Sequence, residues 1–175
     1  AMRPLTLRLA AIGLVLMLAT LTQAASAARP KRSVDQFVTQ AAGRSLAGIE
    51  LSDLALQRSE SAAVRRLARR THDEHAHTYE TLLAIATGAG VTAAPPETID
   101  LEQRGIKARL ATLSGPAFDR AYVAVLRTND DRDIALYRSY TRDDTDPAFT
   151  TWVNDQLKTI RTRRQMIEAA ALEIR

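Results

Sequence analysis

The chain contains no cysteine among its 175 residues. This absence excludes disulfides, a thiol nucleophile, thiolate metal ligands and a lipid-modified N-terminal cysteine. Aromatic residues make up only 5% of the sequence, too few for the stacking surfaces that bind nucleic acids. The formal net charge is only +4. We therefore expect no nucleic-acid partner.

Long hydrophobic runs are also scarce, and the exception is Leu9–Leu21, LAAIGLVLMLATL. Two arginines precede this run, and an A-x-A cleavage pattern follows it at 25–27. The run would form a helix of about 20 Å, shorter than a hydrocarbon core of about 30 Å. The pattern predicts a cleaved secretory signal peptide and a periplasmic or secreted protein, with a retained membrane anchor as the alternative. After cleavage we expect no stable membrane span.

The rest of the chain is organised as helices. We expect a signal peptide over 1–27 (with Ala1 a cloning remnant), a basic linker over 28–32 and one domain over 33–175. Apolar residues recur at helical spacing without strand-like alternation. The predicted helices cover 34–58, 62–87, 99–113, 117–141 and 148–174. The fold class is therefore all-α: a ferritin-like four-helix bundle with an additional short helix in the crossover. The crossover at 91–97 contains two prolines and is expected to pass across one end of the bundle.

Polar residues mark the predicted helix ends. Ser33 opens a capping-box pattern before the first helix, and Ser61 belongs to the turn that opens the second. Asp146 followed by Pro147 is typical of an N-cap and a first helical position. The sequence Gly88-Ala89-Gly90 predicts the end of the second helix.

All three histidines lie in the second helix, at His72, His75 and His77. The apolar stripe of this helix passes through Thr71 and Thr78, so His75 falls on the face that turns toward the core. A buried imidazole needs a hydrogen-bond partner or a metal, because an unsatisfied buried polar group costs a few kcal/mol. The central question is which residues lie opposite His75.

Two further polar residues interrupt apolar stripes at the same level. Asp130 lies on the stripe of the fourth helix, Arg163 lies on that of the last helix, and the first helix offers only Gly48. Asp130 and Arg163 could form an ion pair inside the bundle and also satisfy His75. The more common arrangement for such residues is outward, with both reaching solvent, and we take it as the default. His75, Asp130 and Arg163 form the predicted inner polar seam.

A metal site is the second interpretation of the same residues. His72 and His75 are three positions apart on one helix face, and Glu74 and Asp130 could add carboxylate ligands. Iron, manganese or zinc would suit this donor set. Against it, arginine cannot be deprotonated and repels a cation. We therefore expect no cofactor and identify no catalytic residue.

Four stretches of the chain resemble a known family. They are FVTQAAGRSLAGIELSDLALQRS, VRRLARRTHDEHAHTYETL, GPAFDRAYVAVL and the DPAF turn into the last helix. In this order and spacing they resemble the exported bacterial family labelled domain of unknown function 4142, a branch of the ferritin-like bundles. The resemblance implies a ferritin-like four-helix fold in the cell envelope, without an established activity.

The resemblance also implies a set of inner polar positions, of which this chain keeps one pair. Members typically carry a glutamate in the first helix, an Asp-His pair in the second and histidines in the last two. The pair corresponds to Glu74-His75, whereas the other positions fall on Gly48, Asp130 and Arg163. Glu50 is displaced by two residues and is expected to point away from the seam. Any metal centre of the family is therefore expected to be lost.

These observations lead to two hypotheses about function. The first is an exported, non-catalytic helical-bundle protein of the binding or assembly type, whose partner is an envelope protein or a second copy of the chain. The second is a metal-dependent oxidoreductase, or an iron- or manganese-handling protein, that uses a residual His/Asp site. An intact packing pattern with an altered polar site favours the first.

Overall fold

The computed structural model describes residues 30–143 and 146–174. This part of the chain folds as five helices without a strand, which confirms the all-α helical bundle. The helices are α1 (Pro30–Arg58), α2 (Ala62–Gly88), α3 (Leu101–Ala111), α4 (Gly115–Asp143) and α5 (Pro147–Glu173). The predicted signal peptide lies outside the described residues. No described helix has the length and apolar content that a membrane crossing would need.

Most helix ends follow local sequence signals. The Ser61 hydroxyl accepts a hydrogen bond from the Val64 amide, and the Asp146 carboxylate accepts from two amides in the first turn of α5. Pro147 takes the first position of α5, where a missing N–H costs nothing. In contrast, α1 begins at Pro30, within the predicted linker and before the expected cap Ser33.

The four long helices form a closed ring in which every neighbour is antiparallel. The order around the ring is α1, α2, α5 and α4, and each helix packs against the two beside it. Because α2 and α4 are diagonal in this ring and run in the same direction, the chain must return between them. The connection 89–100 and helix α3 make this return along the outside of α1 and α4.

The predicted course of that connection is wrong in one respect. It does not cross one end of the bundle but runs along its length. Pro96 lies near Gly43 in the first half of α1, and the Lys107 ammonium donates to the Glu50 carboxylate 2.8 Å away. Leu110 then joins the apolar core at the other end. The prolines keep the segment extended. It reaches only the middle of the bundle, where Gln103 at the start of α3 pairs with Asn129, and α3 covers the remaining length.

The apolar core is divided into two clusters, one toward each end. The aromatic cluster lies where α1 begins and α2 ends, and its members include Phe37, Leu82, Tyr137, Tyr140 and Phe149. The leucine cluster lies toward the other end, and its members include Leu51, Leu67, Phe118, Tyr122 and Leu126. Between them, halfway along the four long helices, the core is polar.

Candidate functional site

Each long helix contributes a polar side chain to the middle of the bundle. We call this set the polar layer; its members are Arg44, Glu74, His75, Asp130, Asp133 and Arg163. Asp130 is 1% exposed and Arg163 is 2% exposed, so both ends of the predicted seam are inside the core. His75 is 8% exposed, and it lies on the buried face of α2 as its spacing predicts.

Arg163 occupies the centre of the layer. Its Nε and Nη2 atoms donate to the same oxygen of Asp130, Oδ1, at 2.9 and 2.7 Å. Its Nη1 atom donates to Glu74 at 3.2 Å, and Nη2 lies 3.6 Å from a carboxylate oxygen of Asp133. The expectation that Arg163 and Asp130 reach solvent is therefore wrong. Three carboxylates converge on one guanidinium, which compensates for its burial.

Two more arginines complete the pairing from the rim. Arg44 on α1 donates to the Asp133 carboxylate and, at 2.8 Å, to the backbone carbonyl of Asn129. Arg70, one turn before Glu74, donates to the second Glu74 oxygen. The sequence interpretation missed Arg44 and Asp133. Helical spacing could have found both, since Asp133 follows Asp130 by three residues and Arg44 precedes Gly48 by four.

His75 packs directly against the backbone of α1. A Cβ atom built at Gly48 would fall well under 3.0 Å from three atoms of the His75 ring, a separation that real Cβ atoms do not show. The ring therefore occupies the space that a side chain at position 48 would need. This explains in steric terms why glycine stands at the level where the family resemblance expects glutamate.

Burial sets the protonation of the layer. Desolvation, reinforced by the nearby charges of Arg163 and Arg44, holds the pKa of His75 well below its usual value, so the imidazole is neutral. Desolvation also raises the pKa of Asp130 to about 6, against the attraction of Arg163. For Arg163 burial alone would lower the pKa, but Asp130 and its carboxylate neighbours more than reverse this effect. The guanidinium therefore stays charged.

The four predicted metal ligands are not brought together. The His72 ring lies toward the rim, 3.6 Å from Asp53 and 3.2 Å from Asp73, whereas Glu74 and Asp130 accept hydrogen bonds from arginines. Within residues 30–143 and 146–174, no three His, Asp or Glu side chains form a group suited to a metal ion. The donor set therefore does not fit iron, manganese or zinc as arranged here.

Other polar residues of the sequence analysis lie outside the layer. Glu50 points away from it and pairs with Lys107 of α3 at 2.8 Å, as expected from its displaced position. His77, the third histidine, is exposed on α2. Neither residue contributes to the centre of the bundle.

Two small cavities open beside His75. One lies among the four long helices and is lined in part by Thr78, Gln156 and Thr159, and the other lies between α1, α3 and α4 near Asn129. Each has a volume of about 10 Å³, which is room for one water-sized guest. The layer can therefore admit a very small polar species but not an organic substrate.

The fold and the layer together define an all-α bundle with a buried network of ion pairs across its middle. The chain belongs to the family described as domain of unknown function (DUF4142), whose sequence profile matches residues 19–170. No curated protein and no solved structure is significantly similar to the chain. The family assignment carries no activity.

Proposed function

We propose that the chain is an exported, periplasmic protein of ferritin-like topology that works by binding or assembly rather than by catalysis. One observation carries the non-catalytic part: the Arg163 guanidinium occupies the place where inward carboxylates and an imidazole would otherwise gather around a cation. An arginine side chain is permanently charged and cannot act as a ligand or as a general acid or base. The layer serves to hold the four helices together.

The accessible space supports the same proposal. The titratable groups of the layer are His75, Glu74, Asp130 and Asp133, and arginines already bind its three carboxylates. The cavities beside them hold a single water-sized guest each. A catalytic site needs a substrate-sized pocket next to its acid or base, because proton transfer requires direct or water-bridged contact. Neither described cavity offers that.

The topology supports the ferritin-like part of the proposal. Four antiparallel helices with one long return connection between the second and third long helices are typical of ferritin-like bundles. Here α2 and α4 are joined in that way by the 89–100 segment and α3. The leader pattern over residues 1–27 supports export.

Metal analysis of the untagged chain, purified without chelator, tests the non-catalytic part. We expect iron, manganese and zinc far below one ion per chain, and an unfolding midpoint unaffected by added chelator. The matched variant is His75→Ala. A stoichiometric metal that is lost in this variant would overturn the proposal and restore the metal-dependent alternative.

Export and assembly need separate measurements. After expression in a bacterial host, we expect the protein in the periplasmic fraction with an N-terminus at Ala28, because the A-x-A pattern ends there. Full-length protein in the cytoplasmic fraction would contradict export. Light scattering over a range of concentrations then tests for homo-oligomers, and a strict monomer would leave an envelope partner as the assembly hypothesis.

A further inference from the structure

The polar layer holds one more negative than positive charge. Arg44 and Arg163 face the carboxylates of Glu74, Asp130 and Asp133, and His75 is neutral. Arg70 also reaches Glu74, but its side chain is 55% exposed and its charge is screened by solvent. Glu74 thus has a second arginine at the rim, whereas the two carboxylates that depend on Arg44 and Arg163 alone, Asp130 and Asp133, both lie on α4.

One buried carboxylate oxygen of that helix has no hydrogen-bond partner within the described part of the chain. Both N–H groups that Arg163 directs at Asp130 go to Oδ1, and Oδ2 accepts no hydrogen bond from residues 30–143 or 146–174. The Asp130 side chain is 2% exposed, so bulk solvent does not solvate this atom. A buried, unpartnered carboxylate oxygen is expensive and calls for a donor or a cation.

A cavity of suitable size lies beside Asp130. Its lining includes Gly48, His75, Asn129 and Gln103, and its volume is about 10 Å³. The side-chain amides of Asn129 and Gln103 face each other. The nitrogen of each amide donates to the oxygen of the other, and both donor–acceptor distances are 3.4 Å. Their oxygens and the neutral imidazole can each accept a hydrogen bond or coordinate a cation. The lining therefore combines one free carboxylate oxygen with neutral acceptors.

We propose that this cavity binds one water-sized monovalent cation, potassium or ammonium, on Asp130 Oδ2. Arg44 also lines the cavity, but its N–H groups are directed at Asp133 and at the Asn129 carbonyl. A divalent ion would need several carboxylate oxygens or retained waters, for which the cavity has no room. The inference does not depend on the proposed function, because it concerns only the charge and space of the layer.

Thermal unfolding in different chloride salts tests the proposal. The chain is unfolded at equal ionic strength in potassium, ammonium and choline chloride, at a pH high enough to ionise Asp130. We expect a midpoint several degrees higher in potassium or ammonium than in choline, since choline is too large for the cavity. An increase in only one of the two salts identifies which cation fits. Equal midpoints in all three salts would overturn the proposal.

Variants locate the effect. Asp130→Asn should abolish the difference between salts, whereas Asp131→Asn, at the exposed neighbouring position, should keep it. If Asp130→Asn does not fold, Gln103→Leu removes a neutral acceptor of the cavity and leaves every ion pair of the layer intact. A salt effect that persists in these cavity variants contradicts the assignment.

A heavy-atom analogue gives a direct readout. Crystals of the chain soaked in thallium(I), which resembles potassium and ammonium in size and charge, should show an anomalous peak in contact with Asp130 Oδ2. Crystals of the Asp130→Asn variant, or of Gln103→Leu in its place, should show a weaker peak or none. The absence of a peak in the unmodified chain would overturn the proposal even if the salts differ in solution.

Discussion

The two apolar clusters and the polar layer between them are held together by different physics. In the aromatic cluster, Phe37 packs on Tyr137 with ring centroids 5.3 Å apart. The stabilisation is distributed over many such contacts, each of them weak. Such contacts are non-directional, so a change of similar volume is tolerated. In the layer, each carboxylate depends on directed contacts with one or two arginines. The comparison teaches that a substitution in the apolar clusters should lower stability when it removes side-chain volume. A substitution in the polar layer should lower stability when it leaves a charged side chain without its partner.

The largest effect is expected from removing the central cation. Arg163→Ala leaves Asp130 without an arginine and weakens the pairing of Glu74 and Asp133, so we expect a loss of about 3–5 kcal/mol of unfolding free energy. Arg164→Ala is the matched control, because Arg164 is the next residue and pairs at the surface with Asp131 and Glu168. It should cost about 0–1 kcal/mol. Denaturant unfolding measures both, and similar losses would show that the layer is no different from the surface.

Removing both members of the central pair should cost less than removing one. In the double variant Asp130→Leu with Arg163→Leu, no lone charge remains at the centre, and the leucines fill the space. Glu74 keeps Arg70 and Asp133 keeps Arg44, which limits the loss to about 1–2 kcal/mol. The test is a double-mutant cycle from denaturant unfolding. A strictly additive cycle would mean that the pair is not coupled.

Gly48 connects the layer to the packing of α1 and α2. Gly48→Ala places a Cβ inside the space of the His75 ring, and we expect a loss of about 1–3 kcal/mol from overpacking. Gly43→Ala in the same helix is the control, since its nearest neighbour, Pro96, would be 3.4 Å away. There the gain in helix propensity, about 1 kcal/mol, should roughly offset the tight contact.

His75→Ala should rescue Gly48→Ala, because it vacates the space that the new Cβ needs. Unfolding free energies of the two single variants and the double variant measure this rescue. If Gly48→Ala is as stable as Gly43→Ala, the ring does not occupy that space in solution.

The sequence identified the residues of the polar seam better than it predicted their burial or their partners. Helical periodicity put His75, Asp130 and Arg163 on the apolar stripes, but Asp130 and Arg163 were expected to reach solvent and are buried. It could not show that Arg163 bridges three carboxylates, since this depends on how α2, α4 and α5 are rotated against each other. Arginine side chains usually extend to solvent, and this general tendency could not show that Arg163 is buried.

The return connection shows the same limit at the level of the fold. Its two prolines at 95 and 96 predicted an extended segment correctly. Whether that segment crosses the end or follows the length of the bundle depends on where α3 packs. The pairing of Lys107 with Glu50 and the burial of Leu110 fix that position. Both are contacts between distant residues, which local patterns do not contain.

A smaller effect should appear as a dependence on pH. The pKa of His75 lies well below its unfolded value of about 6.5, so the unfolded chain binds the proton first. The contribution of His75 to the free energy of unfolding is therefore constant above pH 6.5. Below pH 6.5 it decreases by at most about 1.4 kcal/mol per pH unit. Asp130 acts in the opposite sense: its pKa of about 6 makes the folded state the better proton acceptor between pH 6 and 4.

Comparing the native chain with His75→Gln at each pH separates the two groups. Asp130 is present in both proteins, so its contribution cancels to first order. The native chain should lose stability relative to the variant as the pH falls below about 6.5. Parallel stability curves would show that the imidazole is accessible to water.

The smallest effect is expected at the histidine outside the layer. His72 lies at the rim beside exposed carboxylates of Asp53 and Asp73, so His72→Ala should change the unfolding free energy by less than about 0.5 kcal/mol. The same variant tests whether this side chain joins His75 in binding a metal. If it does, added zinc or manganese should stabilise the native chain and not the variant, since a ligand that binds only the folded state raises its stability. If the metal changes the stability of the native chain and of His72→Ala equally, His72 does not bind a metal together with His75. The separate hydrogen-bond partners of the rim and of the polar layer lead us to expect this result.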